Sequence, residues 1–410
     1  MVNAPGVKDI DFYQRILGLE SPWKVMKVDL DMDAKRVVIR VEVEPGTKWG
    51  NAETKAAAHV HKWAERTWRH LDTCQFETLI VAQVPSGKHA DGSVEEVAVP
   101  WADRYQRVTR MMAQAVILWV EACGNVGKVA QVMRLDWHTV DAIMKAAVER
   151  GLKRRGAEKI EHAGIDEKSF RRGHVYASIL NDLDGDRVWD LVEGRKEDNA
   201  FTLLETLSEE QRAGIKAVAM DMWTAYENAV RALMPQADIV HDKFHISSYL
   251  NKAVDDVRKE EHRELLQRGD DTLKGTKYQW LRNFPDLRRE PSFRELYEAN
   301  LKTSRAWRFK ESFGGFWDYH YTGPALKFLK DWFSRVNRSR LEPMKKVARM
   351  LAFRMQGLLN YIKHRITNAA SEGMNSQVAR VIANARGLRS FRTLRIRVLF
   401  FLGKLDLSIA

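Results

Sequence analysis

The sequence predicts an α/β protein of several domains. A mixed-sheet core is interrupted by an all-α insertion and preceded by a small β-rich domain and a helix-turn-helix domain. Three observations predict this. The chain has 410 residues, more than one ordinary core organises, so two to four domains are expected. The period of the apolar residues changes from strand-like to helix-like near residue 104 and returns to strand-like near residue 158. From about residue 245 to 366 the pattern is helical almost throughout, broken at GDDTLKGT, FPDL and TGP.

Taken in order, a short helix is expected at residues 9–18. Residues 23–101 read as β-rich. KVMKVDL and RVVIRVEV alternate or run apolar, TLIVAQVP and VEEVAVPW follow, and GT, SG and DGS mark turns. DRYQRVTRMMAQAVILWVEACG has helical spacing and stops at Gly124, a natural C-cap. VGKVAQVM, the turn RLD and the longer WHTVDAIMKAAVERGL, closed by Gly151, complete a helix-turn-helix pattern. In its last helix Val140, Ile143, Met144 and Val148 form the packed face, leaving His138, Thr139 and Lys145 to meet DNA. After the basic linker KRRG, the segments KIEHAGIDE, HVYASILNDLDG and DRVWDLVEG read as strands joined by hairpins. NAFTLLETLSEEQRAG reads as a helix, IKAVAMD as a strand, TAYENAVRALMP as a helix and ADIVHDKF as a fifth strand. Three hairpin strands followed by alternating helix and strand make a mixed sheet of the RNase H type. The expected domains are 1–103 (β-rich), 104–157 (helix-turn-helix), 158–250 (first part of the core), 251–365 (helical insertion) and 366–410 (completion of the core and basic C-terminal helices).

The net charge of +12 is unevenly spread. Residues 1–250 hold 34 Lys and Arg against 38 Asp and Glu, residues 251–340 hold 20 against 14, and residues 341–410 hold 13 against 3. Basicity concentrated in the last 160 residues points to a polyanionic partner. Beyond residue 372, Arg380, Arg386, Arg389, Arg392, Arg395 and Arg397 recur at spacings that cannot all face one core, and phosphate contact is expected of several. In RAWRFKESFGGFWDYHYTGPALKFLKDWFSRVNRSR most aromatics are expected to fill the insertion's core. One of Trp307, Trp317 or Trp332 is a candidate to stack on an unpaired base. With only Cys74 and Cys123, neither a disulfide framework nor a four-cysteine zinc site can be built, and a reducing cytoplasm is expected. The N-terminus lacks a signal-peptide pattern, and stretches such as AVILWV and VLFFL are too short to span a bilayer.

Three carboxylates carry the chemistry. Asp166 lies at the end of the first core strand, Asp221 at the end of the fourth, and Glu372 in the first turn of a strongly patterned late helix. Each alone has an ordinary role: a strand-end aspartate is commonly a turn or cap residue, and a glutamate in a first turn favours the helix dipole. Jointly, carboxylates so placed can hold two hard divalent ions, Mg²⁺ or Mn²⁺, that clamp the attacking and leaving oxygens of a phosphodiester displacement. Asp242 and His245, in HDKFH, are expected beside them as supporting groups.

The segments AGIDEKSFRRGHVYASILNDLDG, VAMDMWTAYENAVRALMPQADIVHDKFHI and TNAASEGMNSQVARVIANARGLRSF, with RTWRHLDTCQFETLIVAQVP, resemble bacterial insertion-sequence transposases of the ISL-three family. The resemblance runs from about residue 40 to 400, and SEGMNSQ is its most specific part. It implies an RNase H-like DDE core with Asp166, Asp221 and Glu372 as the metal-binding triad and a helical insertion before the glutamate. It also implies binding of double-stranded DNA, both transposon ends and target, and synapsis by at least a homodimer. A non-catalytic regulator derived from a transposase, or a metal-dependent nuclease or resolvase on the same core, is the alternative. Many relatives carry cysteine pairs around the WRHLD stretch as a zinc element. Here those cysteines are absent, and His59, His61, His70, Cys74 and His89 match no zinc-ribbon spacing, so a zinc-free β domain is expected.

Overall fold

The computed structural model describes residues 9–409 except 48, 51–56, 89–92, 157, 172, 174, 284–290, 300, 368, 386 and 389. The chain divides into two units, residues 1–154 with 406–410, and residues 155–405.

The first unit opens with α1 (Asp9–Ile16) and a sheet of β1 (Trp23–Asp31), β2 (Arg36–Val43), β3 (Trp49–Gly50), β4 (Ala57–Thr73), β5 (Phe76–Lys88) and β6 (Val94–Glu96), in the order β1-β2-β5-β4-β3 with β6 on β5. Alternate residues of β2 (Val37, Ile39, Val41) and β5 (Ile80, Ala82, Val84) are buried, as a half-covered sheet requires. Trp23 and Trp68 meet Trp101 edge-on, with ring centroids 5.0 and 5.3 Å apart. β4 is the strand that local pattern conceals. Charged and aromatic residues carry its alternation, and its turn into β5 has no glycine: Cys74 and Gln75 themselves adopt φ of 49° and 70°. VEEVAVPW, expected as a full strand, supplies only the three residues of β6.

The same unit holds α2 (Arg110–Cys123), α3 (Val126–Met133) and α4 (Trp137–Arg154). The Thr109 hydroxyl accepts from the Met112 N–H at the start of α2, and Gly124 ends it at φ 64°. Asn125 caps α3 by accepting from the Lys128 N–H at 2.9 Å. Gly151 does not end α4 but is buried within it. The added turn carries Arg154, which with Arg150 donates to the backbone oxygens of Leu407 and Ser408 at 2.7–2.9 Å. Those contacts hold the C-terminal residues in this unit.

In the second unit β7 (His162–Arg171), β8 (Val175–Asp182), β9 (Arg187–Glu193), β10 (Ala217–Met220) and β11 (Asp238–His241) form a mixed sheet in the order β11-β10-β7-β8-β9. β7–β8 and β8–β9 are antiparallel hairpins, whereas β10 runs parallel to both β7 and β11. One face, with Ala163, Ile165, Leu180, Val218 and Met220, packs on α5 (Glu197–Leu204) and α7 (Thr224–Leu233). α6 (Glu209–Gly214) lies between them. The single helix expected over NAFTLLETLSEEQRAG is split because Ser208 and Gln211 cap each other reciprocally and start a new helix there.

A helical block follows: α8 (Lys243–Leu266), α9 (Lys277–Leu281), α10 (Pro291–Glu298), α11 (Lys302–Gly314), a 3₁₀ turn (Gly315–Asp318), α12 (Thr322–Arg338), α13 (Glu342–Phe353) and α14 (Met355–His364). It begins directly after β11, since α8 runs unbroken across residue 250. Its core gathers Trp280, Trp307, Phe313, Phe316, Trp317 and Trp332. The stacking role expected of one tryptophan is therefore corrected. Trp307, Trp317 and Trp332 are 2%, 6% and 0% exposed, and the indole N–H groups of Trp307 and Trp332 donate to the Arg282 and Phe309 carbonyls at 3.0 Å. Their rings are consumed by packing, and none offers a face to a base. Buried Glu261 of α8 accepts from the Lys302 and Thr303 N–H groups at 2.6 and 2.7 Å, capping α11 from another helix.

The other face of the sheet, with Ala177, Ile179, Val188 and Leu191, is covered by α15 (Ala369–Asn384) through Met374 and Val378 and by α16 (Phe391–Leu402) through Leu394 and Val398. Two of the arginines read as phosphate contacts belong to this packing. Arg395 makes two 2.7 Å bonds to the buried Asp190 carboxylate, and Arg397 is 5% exposed. Arg395→Ala is expected to cost on the order of 3 kcal/mol by leaving Asp190 buried and uncompensated. Denaturant melts check this, with Asp190→Asn in the same chain recovering part of the loss. A change in DNA affinity without a change in stability would return Arg395 to the phosphate-contact set. Among the described residues no helix is long and apolar enough to cross a membrane.

Candidate active site and DNA-binding surface

The sheet register creates a row of aspartates. Met220 pairs with Ile165 on one side and with His241 on the other. The next residues along the three parallel strands are Asp221, Asp166 and Asp242, so all three stand level where β10 and β11 end. The Asp242 N–H donates to the Met220 carbonyl at 3.1 Å, extending the ladder one step. Neighbouring strands lie about 4.8 Å apart, so the three carboxylates leave adjacent strands side by side. Asp166 is not at the end of its strand as expected: β7 continues to Arg171. It marks instead the point where the parallel partner β10 stops and β7 goes on in a hairpin with β8 alone.

Glu372 comes to this row on the first turn of α15. The close approach of α15 to β7 depends on Gly164, where a Cβ would lie 2.4 Å from Ser371 Oγ and 2.9 Å from Leu183 Cδ2. Three residues beyond Glu372, and so on the same helical face, Asn375 donates its Nδ2 to Asp166 Oδ2 at 2.6 Å. Asn375 was not singled out in the sequence, although its i+3 spacing within SEGMNSQ was the available signal.

The side chains share one electrostatic field. Asp166 Oδ1 accepts from the Glu167 N–H at 2.7 Å, and Asp221 Oδ1 from the Met222 N–H at 2.6 Å. Burial pushes the Asp166 carboxyl up to about 6, against the lowering effect of its backbone bond and of His245. Glu372 is also raised, first by burial and then by the charge of Asp242, with His245 opposing. Asp242 is 1% exposed and caps α8, accepting from the Phe244 N–H at 3.3 Å and from His245 Nδ1 at 2.7 Å. That bond turns His245 Nε2 toward Asp221 Oδ2, 3.6 Å away. The His245 imidazole is raised to about 9, chiefly by the Asp242 bond and further by Asp221 and Asp166, with burial opposing. Four carboxylates thus surround one cationic imidazole.

The donor set is all oxygen, the chemistry that hard divalent cations take. Among the described residues no three His, Cys, Asp or Glu side chains converge closely enough to hold an ion as they stand. Asp166, Asp221 and Asp242 accept hydrogen bonds from Asn375, His245 and backbone N–H groups. Half-buried Asp166 has the neutral Asn375 as its side-chain hydrogen-bond partner, and burial raises its carboxyl. On these grounds the residues fit divalent ions.

The expected DNA-contact residues are spread over separate surfaces. On α4, Val140, Ile143, Met144 and Val148 are buried. His138 is exposed and meets Trp137 edge-on at 5.3 Å, and Lys145 is half-buried. The Thr139 N–H and hydroxyl both bond to the Asp136 carboxylate, so Thr139 serves the helix cap. Arg380 and Arg392 are exposed. Arg386 and Arg389 lie outside the described residues.

Comparison with known proteins gives the class and then the family. A family model described as "Transposase" matches residues 163–398. A second, for the helix-turn-helix domain of transposase family ISL3, matches residues 97–148. A third, for the zinc-finger of the transposases of IS204, IS1001, IS1096 and IS1165, matches residues 53–85. The chain is 30% identical over 351 residues to the transposase for insertion sequence element IS1001 of Bordetella parapertussis, covering 83% of this chain and 86% of that one. It is 23% identical over 423 residues to the transposase for insertion sequence element IS1557 of Mycobacterium tuberculosis, covering 94% and 93%. The fold, the DNA-binding helices and these matches define a DNA transposase, an enzyme that cuts and joins DNA strands. The chain belongs to the ISL3 family of insertion-sequence transposases. Membership of a DDE family brings divalent-metal dependence with it. The zinc-finger match falls on a stretch whose one cysteine is Cys74, and it keeps zinc open for this region.

Proposed function

We propose that this transposase binds the terminal inverted repeats of its element through the helix-turn-helix and cuts and joins strands at Asp166, Asp221 and Glu372 on an RNase H-like core. The observation that carries the reading is the level row of Asp166 and Asp221 on adjacent parallel strands, with Glu372 delivered by the helix seated on Gly164. The strand order β11-β10-β7-β8-β9, three hairpin strands followed by two parallel additions, supports the RNase H-like assignment. Asp166, Asp221 and Glu372 would hold two Mg²⁺ or Mn²⁺ ions. When bound, such ions activate a water or a 3′-hydroxyl and stabilise the leaving oxyanion. Asp242 fixes the His245 ring through Nδ1, so that Nε2–H is presented beside Asp221 as a donor to the scissile phosphate. Asn375 holds the Asp166 carboxylate in the orientation from which it engages a ligand. Two ends must be brought together, so a homodimer or higher assembly on DNA is part of the proposal.

The test is cleavage and joining of labelled duplexes carrying the short inverted repeats that flank the gene. Mg²⁺-dependent nicking at the repeat followed by 3′-hydroxyl joining is expected. Binding without cleavage would favour a regulator, and cleavage without joining a nuclease. For the β-rich region we propose a fold that needs no zinc, supported by its single cysteine and by the Trp23–Trp68–Trp101 cluster filling its core. Chelation by EDTA is expected to abolish cleavage and leave the melting of this region unchanged. Stoichiometric zinc that persists in Asp166→Ala and Asp221→Ala protein would overturn the zinc-free assignment.

A further inference from the structure

We propose that the helical block carries a second DNA-backbone site, an arginine clamp between α11 and α12; the proposal rests on the transposase reading for its partner but not for its chemistry. A cleft of about 730 Å³ opens there, lined by Arg305 and Arg308 from α11 and by Arg335 and Arg338 from α12. Each pair is spaced i, i+3, so its two guanidiniums lie on one helical face about 4.5 Å apart along the axis. All four residues are exposed. Arg308 lies over the Tyr297 ring at 4.2 Å and donates to the Tyr297 carbonyl, and Arg338 donates to Ser334 Oγ at 2.8 Å. Those partners are neutral. Among the described residues none of the four arginines meets a carboxylate. The one acidic residue lining the cleft, Glu311, is paired with Lys310 at 3.1 Å.

The length of the positive strip decides what it binds. A second cleft, of about 560 Å³, shares Arg335 and Arg338 and adds Lys327, with Asp331 its one acidic residue. Five cations thus run through two joined clefts, which exceeds the needs of a single phosphate and suits a linear polyanion. Guanidinium forks pair bidentately with phosphate oxygens, and like charges that outnumber the acidic residues beside them repel until a polyanion neutralises them. The clamp therefore grips consecutive phosphates of duplex DNA and contributes affinity without reading sequence.

The experiment uses the full chain and the double variant Arg305→Gln/Arg335→Gln, which removes the two arginines that make no hydrogen bond or ion pair among the described residues. Binding to a terminal-repeat duplex and to a random duplex is followed across salt concentrations, with melting temperature as a control. The slope of log K against log salt is expected to become shallower by about 1.8 on both duplexes, roughly 0.9 for each lost phosphate contact. Melting should not change, and Arg305→Lys/Arg335→Lys should restore most of the slope. An unchanged slope on both duplexes overturns the clamp, and so does a change confined to single-stranded DNA or RNA. The random duplex separates this proposal from the function itself. An arginine-dependent slope in a protein that never cuts its ends keeps the clamp and sinks the assigned reaction, whereas normal cutting with an unchanged slope does the reverse.

Discussion

Alanine at Asp221 is expected to abolish strand cleavage, a loss on the order of 10³-fold or more, since on the proposed reading it removes a metal ligand that several kcal/mol of transition-state stabilisation depends on. The same holds for Asp166→Ala and Glu372→Ala. Binding to the terminal repeats should stay within about twofold in each case, because affinity for DNA comes chiefly from cationic contacts with phosphates and not from carboxylates. Cleavage retained by any one variant removes that residue from the metal-binding set. Asp242 needs a different design, for it caps α8 and holds His245 as well as standing in the row. Asp242→Asn keeps an oxygen for the cap while removing the charge. A cleavage defect at unchanged melting temperature would then place Asp242 in the chemistry rather than in the helix start.

Gly164→Ala is expected to be nearly as damaging, although the residue is buried and carries no side chain. The new Cβ would stand 2.4 Å from Ser371 Oγ and 2.9 Å from Leu183 Cδ2, so either these side chains turn aside or α15 shifts on β7 and carries Glu372 and Asn375 with it. Overpacking of this kind costs about 1–3 kcal/mol of stability. Displacing a reacting group by about 1 Å costs on the order of 10²-fold in rate. Ser371→Gly in the same chain removes the nearer of the two clashes, leaving that with Leu183, and is expected to restore part of the cleavage. Ser371 is fully buried with no hydrogen bond to Oγ among the described residues, so its hydroxyl is dispensable to packing. Normal cleavage by Gly164→Ala alone would show that the contact does not position the helix.

What the sequence made legible was local. Helical period found α3 at its actual limits, VGKVAQVM, and the structure adds the reason they are sharp: Asn125 caps its start and Arg134 ends it in the left-handed region. The apolar run before Asp221 gave β10, since four consecutive buried residues admit few alternatives. What stayed hidden depends on pairing across distance. Asp242 is expected beside the site from its place at the end of the fifth strand, but its standing level with Asp166 and Asp221 follows from the parallel register of β10 with β11, which no local pattern encodes. Arg395 looked like its neighbours until Asp190, some two hundred residues earlier, supplied its partner. Trp307, Trp317 and Trp332 share a spacing that fits either a core or a stacking surface, and burial alone distinguishes the two. β4 was missed because its inward residues are few and its turn uses Cys74 and Gln75 in place of the usual glycine.

The position of Glu372 beyond the helical block also orders events during synthesis. The ribosome completes the DNA-reading helices first, then the two strands bearing Asp166 and Asp221, and the whole block must emerge before the third carboxylate exists. A chain that stops inside the block carries the helix-turn-helix but lacks Glu372, and on the proposed reading it is expected to bind an element's ends without cutting them. On the proposed reading such a fragment would compete with the intact enzyme for the ends, because recognition is encoded before the last carboxylate.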